Sequence, residues 1–308
     1  MSNLRTVMDG VVFGESLRWH DGRLWFADWA RQEVIAVDLD GKSEVMLRAP
    51  GDGGFGPVCF DWLPDGRLLL LSGATRSVLR QEPDGTLVTH ADLRGLAVGE
   101  INDMAVDPQG TCWVGCFGFD LTHGAPYEPA PLIRVATDGT AAVVAQGLAF
   151  PNGAICDGTV LVVAETFAGR MSAFDVTDDG SLTARRVWAE FGDEPVAGDA
   201  LARLNGVDVA PDGLAERDAE GAIWVADATH HRALRVGEGG EVLDEVAVDD
   251  GQVYDVTLGG ADGRTLFLAV SPSYLKSERG HTRDSALLSR RVDVPLARVS
   301  PDRGIEVR

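Results

Sequence analysis

The sequence predicts an all-β fold, a six-bladed β-propeller with four antiparallel strands in each blade. A short apolar run behind a glycine, "GRLWFAD" at residues 22–28, has five near-copies along the 308 residues, and the leading glycines are 42 to 63 positions apart. Repeats of about this length that hold several strands are typical of propellers. Helical periodicity is absent over any long stretch. A β-sandwich or a β-solenoid would not explain six units of four strands each.

The six glycine-led runs are the predicted second strands, and they number the blades. In chain order they are "GRLWFAD" from Gly22, "GRLLLLS" from Gly66, "GTCWVGC" from Gly110, "GTVLVVAE" from Gly158, "GAIWVAD" from Gly221 and "GRTLFLAV" from Gly263. Their Val, Leu, Ile and Trp residues suit the packed face of a sheet.

The other strands follow the same order in each repeat. An alternating segment such as "ESLRWH" (15–20) precedes the run and predicts a first strand. A third strand follows the run and ends in a DG or GG pair, as in "EVIAVDLDG" (33–41). A fourth strand comes next, as in "SEVMLRA" (43–49). Glycine in these pairs permits the positive φ of tight hairpins. We expect one domain over residues 1–308, closed into a ring by N- and C-terminal strands, with "GIEVR" (304–308) at its end.

The starts of the first strands predict a site. In an up-and-down blade the first strand leaves one face and the second returns to it, so these starts should lie around one mouth of the central channel. Counting back six to nine residues from the glycine finds Glu15, Asn102, Asn152 and Asp212 in blades 1, 3, 4 and 5. The first strand of blade 6 offers Gln252, Tyr254 and Asp255, and that of blade 2 offers only Pro57, Val58 and Cys59. Each of the first four alone is also compatible with a turn, because Asn and Asp before glycine are common turn formers. Four at matched positions favour a site.

Blade 5 leaves an alternative open. Asp212 lies nine residues before Gly221, whereas Asn205, in a similar "NG" context, lies sixteen before it. The spacing favours Asp212, although "GVDVA" (206–210) has better strand character than "LAER" (214–217).

The four side chains predict a hard cation rather than a soft one. Carboxylate and amide oxygens are ligands for divalent ions such as calcium, and no matching set of His and Cys is present. We expect one divalent metal ion, with calcium as the first choice and zinc, magnesium or manganese as alternatives.

Four segments carry a resemblance to a known family. "GESLRWHDGRLWFADWARQEVIAVD", "INDMAVDPQGTCWVGCFGFDL", "PNGAICDGTVLVVAETFAGRMSAFDVTDDGSL" and "APDGLAERDAEGAIWVAD" closely resemble the regucalcin/gluconolactonase-like lactonohydrolases, over about Gly14 to Leu268. The resemblance implies a six-bladed propeller with one divalent metal and hydrolysis of sugar lactones or related esters. It implies metal ligands at Glu15, Asn152 and Asp212, with Asp212 also as general base and Asn102 as a substrate contact.

Two positions depart from the family pattern. Four residues, "LAER", separate "PDG" from "DAEG" where the family has three, and Glu100 stands where sugar lactonases have an arginine that contacts the sugar. The expected substrate-binding residues are Asn102, Glu100, Arg31, Arg76 and Phe119. Two long connections, 116–132 and 271–294, are expected to cover the mouth.

The expected function is the opening of a lactone by metal-activated water. A divalent cation can polarise the carbonyl and lower the pKa of a bound water, and a nearby carboxylate can accept the proton. Two alternatives stay open: a metal-dependent esterase or organophosphate hydrolase that uses the same site, and a non-catalytic calcium-binding propeller. A small-molecule lactone is therefore the expected partner.

Composition excludes several other classes. A net charge of −21 argues against a nucleic-acid partner, and no apolar stretch is long enough to span a membrane. The four cysteines form no CxxC pairs, which indicates reduced core residues and a cytoplasmic protein. The oligomeric state is not addressed by the sequence.

Overall fold

The computed structural model describes residues 4–51, 54–121, 123–195, 198–279 and 282–297. In this part of the chain, twenty-four strands form six four-stranded antiparallel sheets, so the predicted six-bladed propeller is confirmed. The predicted terminal segment 304–308 lies outside the described residues.

The first twelve strands are β1 (Arg5–Val11), β2 (Gly14–His20), β3 (Arg23–Asp28), β4 (Glu33–Val37), β5 (Ser43–Arg48), β6 (Val58–Trp62), β7 (Leu68–Ser72), β8 (Ser77–Gln81), β9 (Leu87–Asp92), β10 (Ile101–Val106), β11 (Cys112–Cys116) and β12 (Ala130–Val135). The other twelve are β13 (Ala141–Leu148), β14 (Pro151–Cys156), β15 (Val160–Glu165), β16 (Arg170–Val176), β17 (Leu182–Glu190), β18 (Pro211–Leu214), β19 (Ile223–Asp227), β20 (Arg232–Val236), β21 (Val242–Ala247), β22 (Gln252–Gly259), β23 (Thr265–Ser271) and β24 (Ser285–Arg291). Blades 1 to 5 use β2–β5, β6–β9, β10–β13, β14–β17 and β18–β21.

Blade 6 joins the two ends of the described chain. Its strand order is β22, β23, β24 and β1, and β1 pairs antiparallel with β24 from Arg5 opposite Ser289 to Val11 opposite Ser285. The expectation that 271–294 is a mouth-covering connection is wrong in its second half, because residues 285–291 form β24. The first four residues of "SALLSRR" alternate between buried and half-buried positions, as in a strand with one face on the core.

The helical content is small. The described helices are α1 (Ala200–Leu204), α2 (Lys276–Arg279) and a 3-10 turn at Thr166–Ala168. None of them has the length or the apolar character that crossing a membrane requires. The four cysteines are free.

Each glycine-led run forms the second strand of its blade because glycine closes the preceding hairpin. Gly22 and Gly66, for example, have φ of +71° and +85°, a conformation that L-residues rarely adopt. The apolar residues that follow are buried between neighbouring sheets, where Trp113 and Trp224 are fully enclosed. The innermost strands β2, β6, β10, β14, β18 and β22 each contact the next, and β22 contacts β2, so they surround the channel.

Candidate active site

One register rule places the four predicted side chains at the same end of the innermost strands. In blades 1, 3, 4 and 5 the last residue of the second strand pairs with the residue directly before the predicted one. These pairs are Gly14 with Asp28, Ile101 with Cys116, Pro151 with Glu165 and Pro211 with Asp227. Glu15, Asn102, Asn152 and Asp212 therefore enter the channel at equivalent levels.

The alternative in blade 5 is resolved by the strand that forms there. Asp212 is the second residue of β18, whereas Asn205 is an exposed residue at the C-terminal end of α1. Residues 206–210 do not form a strand, and β18 ends at Leu214. Asp212 is thus the blade 5 side chain at the channel.

The Asn–Gly and Asp–Gly pairs at the site are strand residues and not turns. Gly153 and Gly213 lie inside β14 and β18, and neither has the positive φ that the hairpin glycines show. In both strands the ladder shifts register after the site residue, between Pro151 and Ala154 and between Pro211 and Leu214, as it does at a β-bulge. Bulges of this kind redirect side chains beside active sites.

The two predicted carboxylates are buried close enough to repel each other. Glu15 is 9% exposed and Asp212 is 7% exposed. Burial raises the pKa of Glu15 well above its usual range, and the negative charges of Asp212, Asp255 and Asp103 raise it further. Burial likewise raises the pKa of Asp212, followed by repulsion from Asp255 and Asp103. Within the described residues, no donor or cation pairs with the Asp212 carboxylate.

The two predicted amides are locked in one orientation. The hydroxyl of Thr166 has a single proton, which it donates to the carbonyl oxygen of Pro211 at 2.8 Å. It must therefore accept from Nδ2 of Asn152, which lies 3.2 Å away. This assignment directs Oδ1 of Asn152 toward Asn102, whose Nδ2 donates to it at 2.8 Å. An amide oxygen is thus presented among the carboxylates.

A second group of charges was not among the predicted site residues. The backbone amides of Leu17 and Val256 donate to the two carboxylate oxygens of Asp255. Burial raises the pKa of Asp255 to about 7, opposed by the charge of Arg18 and assisted by that of Asp103.

Asp103 follows Asn102 directly, yet its charge also reaches Glu15 and Asp212, and the thiol of Cys59 donates to its Oδ1 at 2.7 Å. The ladder between β10 and β11 shifts register between Ile101 and Met104, so the usual alternation of side chains is interrupted there. Because of this register shift, the alternation of residues in the sequence does not predict that Asp103 lies near the site.

Two of the predicted substrate-binding residues flank the site in blade 3. Glu100, half-buried, stands two residues before Asn102, and its carbonyl oxygen accepts from the amide of Phe117 at 2.9 Å. Phe119 is buried among aromatic rings, with centroid distances of 6.3 Å to Phe150 and 5.7 Å to Tyr127.

The two predicted arginines lie in the turns after the second strands. The Arg31 side chain is 40% exposed and pairs with Glu33 at 3.4 Å. Arg76 is half-buried, with φ of +48°, and its charge acts on Cys116 and Asp120 of the neighbouring blade. The structure therefore places Glu15, Asn102, Asn152 and Asp212 at the same end of the innermost strands, whereas Arg31 and Arg76 lie in the turns that follow β3 and β7.

The donor set fits a hard divalent cation better than a soft one. Among the described residues, no three His, Cys, Asp or Glu side chains gather into a ready metal-ligand cluster. The candidate set at the mouth instead combines two carboxylates with the amide oxygen that Asn152 presents. All of these are oxygen ligands, and a cation would offset the repulsion between Glu15 and Asp212.

Comparison with known proteins agrees with the resemblance seen in the sequence. 6-Deoxy-6-sulfogluconolactonase from Pseudomonas putida is 27% identical over 205 residues, and this match spans 65% of each chain. Less than two thirds of that relative is therefore covered.

Two solved structures share the fold. The calcium-binding protein regucalcin from Agrobacterium tumefaciens is 20% identical, with 94% of this chain and 95% of that one covered and a TM-score of 0.71. A gluconolactonase from Xanthomonas campestris is 22% identical, with coverage of 96% and 90% and a TM-score of 0.67. At these identities the likeness concerns the fold alone.

The family assignment comes from the sequence match along the chain. The family model described as "SMP-30/Gluconolactonase/LRE-like region" matches residues 13–271. This range includes the second strands of all six blades and the four residues at the channel mouth. The chain belongs to the SMP-30/gluconolactonase/LRE-like family.

Proposed function

We propose that this protein is a lactonase that opens a small lactone at the channel mouth, with one divalent cation held by Glu15, Asn152 and Asp212. Calcium is the first choice, and zinc, magnesium and manganese are alternatives. The proposal is supported by membership of a family that includes gluconolactonases. It is also supported by the lactonase name of the relative from Pseudomonas putida.

The single observation that carries the proposal is the Asp212 carboxylate, which is 7% exposed at the channel mouth and has no donor or cation among the residues that the structure describes. A buried carboxylate without a donor or a cation is costly, and it either takes up a proton or binds a positive ion. Other carboxylates are close by: burial and the charges of Asp255 and Asp103 raise the pKa of Asp212, and the charge of Asp212 in turn raises the pKa of Glu15. Buried groups with pKa values perturbed in this way are typical of functional sites.

The residues of the site have separate roles in the proposed reaction. When bound, the cation supplies positive charge that polarises the lactone carbonyl. Asp212 accepts a proton from the attacking water, as a carboxylate within reach of the water can do. Asn102 orients the substrate oxygen next to Asn152. The water oxygen bonds to the carbonyl carbon, and the bond between that carbon and the ring oxygen breaks. Protonated Asp212 returns its proton to the ring oxygen, and a hydroxy acid leaves.

The surrounding residues are proposed to set substrate preference. Glu100 replaces the arginine of sugar lactonases, so a lactone other than the common sugar type is expected. We propose that Arg31 or Arg76 meets a carboxylate or a polar ring substituent of the substrate. Phe119, which is buried in a cluster of aromatic and apolar side chains, is proposed to contact the apolar part of the substrate. The cytoplasmic location stays a prediction, as does the absence of nucleic-acid and membrane partners.

A metal and substrate screen tests the proposal. The chain, freed of metal with EDTA, is melted with and without each cation, and acid release is then followed over sugar lactones, alkyl-substituted lactones, aryl esters and phosphotriesters. Asp212→Ala should abolish metal-dependent acid release while the protein stays folded. Asp84→Ala, which changes an exposed aspartate in a hairpin of blade 2, should keep full activity.

The outcomes separate the alternatives. Full activity in Asp212→Ala would overturn the site. Stabilisation by calcium without acid release from any substrate would favour a calcium-binding propeller. Turnover of aryl esters or phosphotriesters alone would favour the esterase or organophosphate hydrolase.

A further inference from the structure

Three blades end their second strand in a buried acid, and these are the three blades that carry the proposed metal ligands. The acids are Asp28 in blade 1, Glu165 in blade 4 and Asp227 in blade 5. We propose that Asp28, Glu165 and Asp227 are positioning residues, each of which fixes the backbone that leads into a metal ligand. This inference rests on the proposed function, because it assigns these acids to the cation site.

In blade 1 the acid holds the chain by backbone contacts. Oδ2 of Asp28 accepts from the amide of Val12 at 3.2 Å, three residues before Glu15. Oδ1 accepts from the amides of Ala30 and Arg31, at 3.1 and 3.2 Å, in the turn after β3. One carboxylate thus joins the segment that enters the first strand to the turn that leaves the second.

In blade 4 a carboxylate again accepts from a backbone amide before the ligand, and two arginines also pair with it. Oε2 of Glu165 accepts from the amide of Ala149 at 2.8 Å, three residues before Asn152. The guanidinium groups of Arg170 and Arg185 lie 3.0 Å from the two carboxylate oxygens. Against the effect of burial, hydrogen bonds from Arg170, Ser172 and the Ala149 amide hold the pKa of Glu165 below its usual value.

Blade 5 repeats it again. Oδ1 of Asp227 accepts from the amide of Ala210 at 3.1 Å, two residues before Asp212, and from the amide of Thr229 at 3.2 Å. Nε of Arg232 donates to Oδ2 at 3.0 Å. A carboxylate can accept at several lone pairs at once, so it fixes two backbone segments and a side chain together.

The other three blades have no acid at this position. Ser72, Cys116 and Ser271 end the second strands of blades 2, 3 and 6. In blade 2 the register is the same, with Val58 opposite Ser72, but Oγ of Ser72 has no hydrogen-bond partner in the described part of the chain. A carboxylate is therefore not needed to close a blade of this fold. An acid occupies this position only in blades 1, 4 and 5, which supply the proposed metal ligands.

The physical reason lies in the precision that a metal site requires. Ligating side chains are held by further hydrogen bonds, and loss of such a partner typically weakens metal binding by about 10–100-fold. Without the acid, the amides of Val12, Ala149 and Ala210 would lose their acceptor, and the register-shifted strand starts could move.

Blade 5 offers a matched control. Asp218, at the opposite end of β19, is also buried, at 1% exposure against 0% for Asp227. It accepts from the backbone amides of Glu220 and Ala222, and Nε of Arg235 donates to it at 2.6 Å. Asn has one acceptor oxygen in place of two, so Asp227→Asn cannot satisfy both the backbone amides and Arg232. Asp218→Asn creates the same conflict between the backbone amides and Arg235, at the end of the blade away from the site.

The experiment is a calcium titration of the full chain after EDTA treatment, followed by calorimetry and thermal melting. Asp227→Asn should weaken calcium binding by about 10–100-fold, whereas Asp218→Asn should change it less than about threefold at a similar loss of melting temperature in EDTA. Hydrogen exchange at the amide of Ala210 should accelerate in Asp227→Asn alone. Ser72→Ala should have no effect on binding.

Each outcome decides the matter. Equal calcium binding by the wild type and Asp227→Asn would overturn this inference and leave the proposed metal site intact. No binding of calcium, magnesium, manganese or zinc by the wild type would overturn both. If Asp227→Asn does not fold, Asp28→Asn provides the same test in blade 1, where Asp28 accepts from backbone amides without a directly bonded arginine.

Discussion

Gly153 packs against the backbone of Asp212 in the next blade. A Cβ atom at position 153 would lie 2.5 Å from the carbonyl oxygen of Asp212 and 2.7 Å from the amide nitrogen of Leu214. Real Cβ atoms do not approach backbone atoms so closely, so only glycine lets β14 and β18 meet at this distance. The glycine of the "PNG" motif is therefore a packing residue that sets the separation of two proposed ligands.

We predict that Gly153→Ala forces β14 and β18 apart. Overpacking of this kind should lower the free energy of unfolding by about 1–3 kcal/mol. The same displacement should weaken calcium binding, because Asn152 and Asp212 move relative to each other. Gly95→Ala is the control, since a Cβ there meets nothing within 4 Å. Urea unfolding and calcium titration measure both effects, and an unchanged calcium affinity in Gly153→Ala would contradict the prediction.

Thr166 provides a test of the locked amide. Thr166→Val keeps the size of the side chain but leaves Nδ2 of Asn152 without its acceptor and the Pro211 carbonyl without its donor. Each unsatisfied buried group costs about 1–3 kcal/mol, so Thr166→Val should melt earlier and bind calcium more weakly. Thr166→Ser keeps the hydroxyl and should retain calcium binding. Equal affinities for the Val and Ser variants would show that this hydroxyl does not orient Asn152.

The regular part of the site could be predicted from the sequence because one spacing recurs. The hairpin glycine fixes the second strand, and the register then places Glu15, Asn102, Asn152 and Asp212 at equivalent levels. Spacing also decided correctly between Asp212 and Asn205, where strand propensity favoured the wrong segment. The end of "GVDVA" fails as a strand because Ala210 instead donates its amide to Asp227, a contact between residues 17 apart.

The irregular part could not be predicted from alternation. Asp103 neighbours Asn102, and in a regular strand the two would point to opposite faces. The register shift between Ile101 and Met104 removes that rule, as does the shift between Val253 and Asp255 in blade 6. Bulges depend on the packing of neighbouring blades, which a local pattern does not contain. Blade 2 has no such shift between β6 and β7, and it supplies none of the predicted ligands.

The buried carboxylates predict an unusual pH dependence without metal. Folded Asp255 keeps its proton up to about pH 7, whereas the unfolded chain releases it near its ordinary value of 3.8. The folded state therefore binds more protons in this window, and its stability falls as the pH rises, by up to about 1.4 kcal/mol per pH unit for one group. The raised pKa values of Glu15 and Asp212 act in the same direction.

Melting in EDTA between about pH 5.5 and pH 7.5 measures this slope, above the range in which ordinary carboxylates titrate. Asp255→Asn should make the slope less steep, while Glu15 and Asp212 maintain the rest of it. Calcium should reverse it, because the cation competes with protons for Glu15 and Asp212. A melting temperature in EDTA that stays constant or rises over this range would contradict the prediction.

The pairing of β1 with β24 allows a test of the proposed single domain. Val11 is buried with Phe26 of blade 1 and Phe267 and Leu287 of blade 6, so it joins the first and last blades. Val11→Asp would bury a carboxylate without a partner and should lower the free energy of unfolding by about 3 kcal/mol. Thr6→Asp, at an exposed position of the same strand, should change it by less than about 0.5 kcal/mol.

If the ring is one cooperative unit, Val11→Asp shifts a single urea transition, monitored by tryptophan fluorescence, to lower concentration without splitting it. A separate early transition in this variant would mean that blade 6 unfolds on its own, and the single-domain proposal would then be wrong.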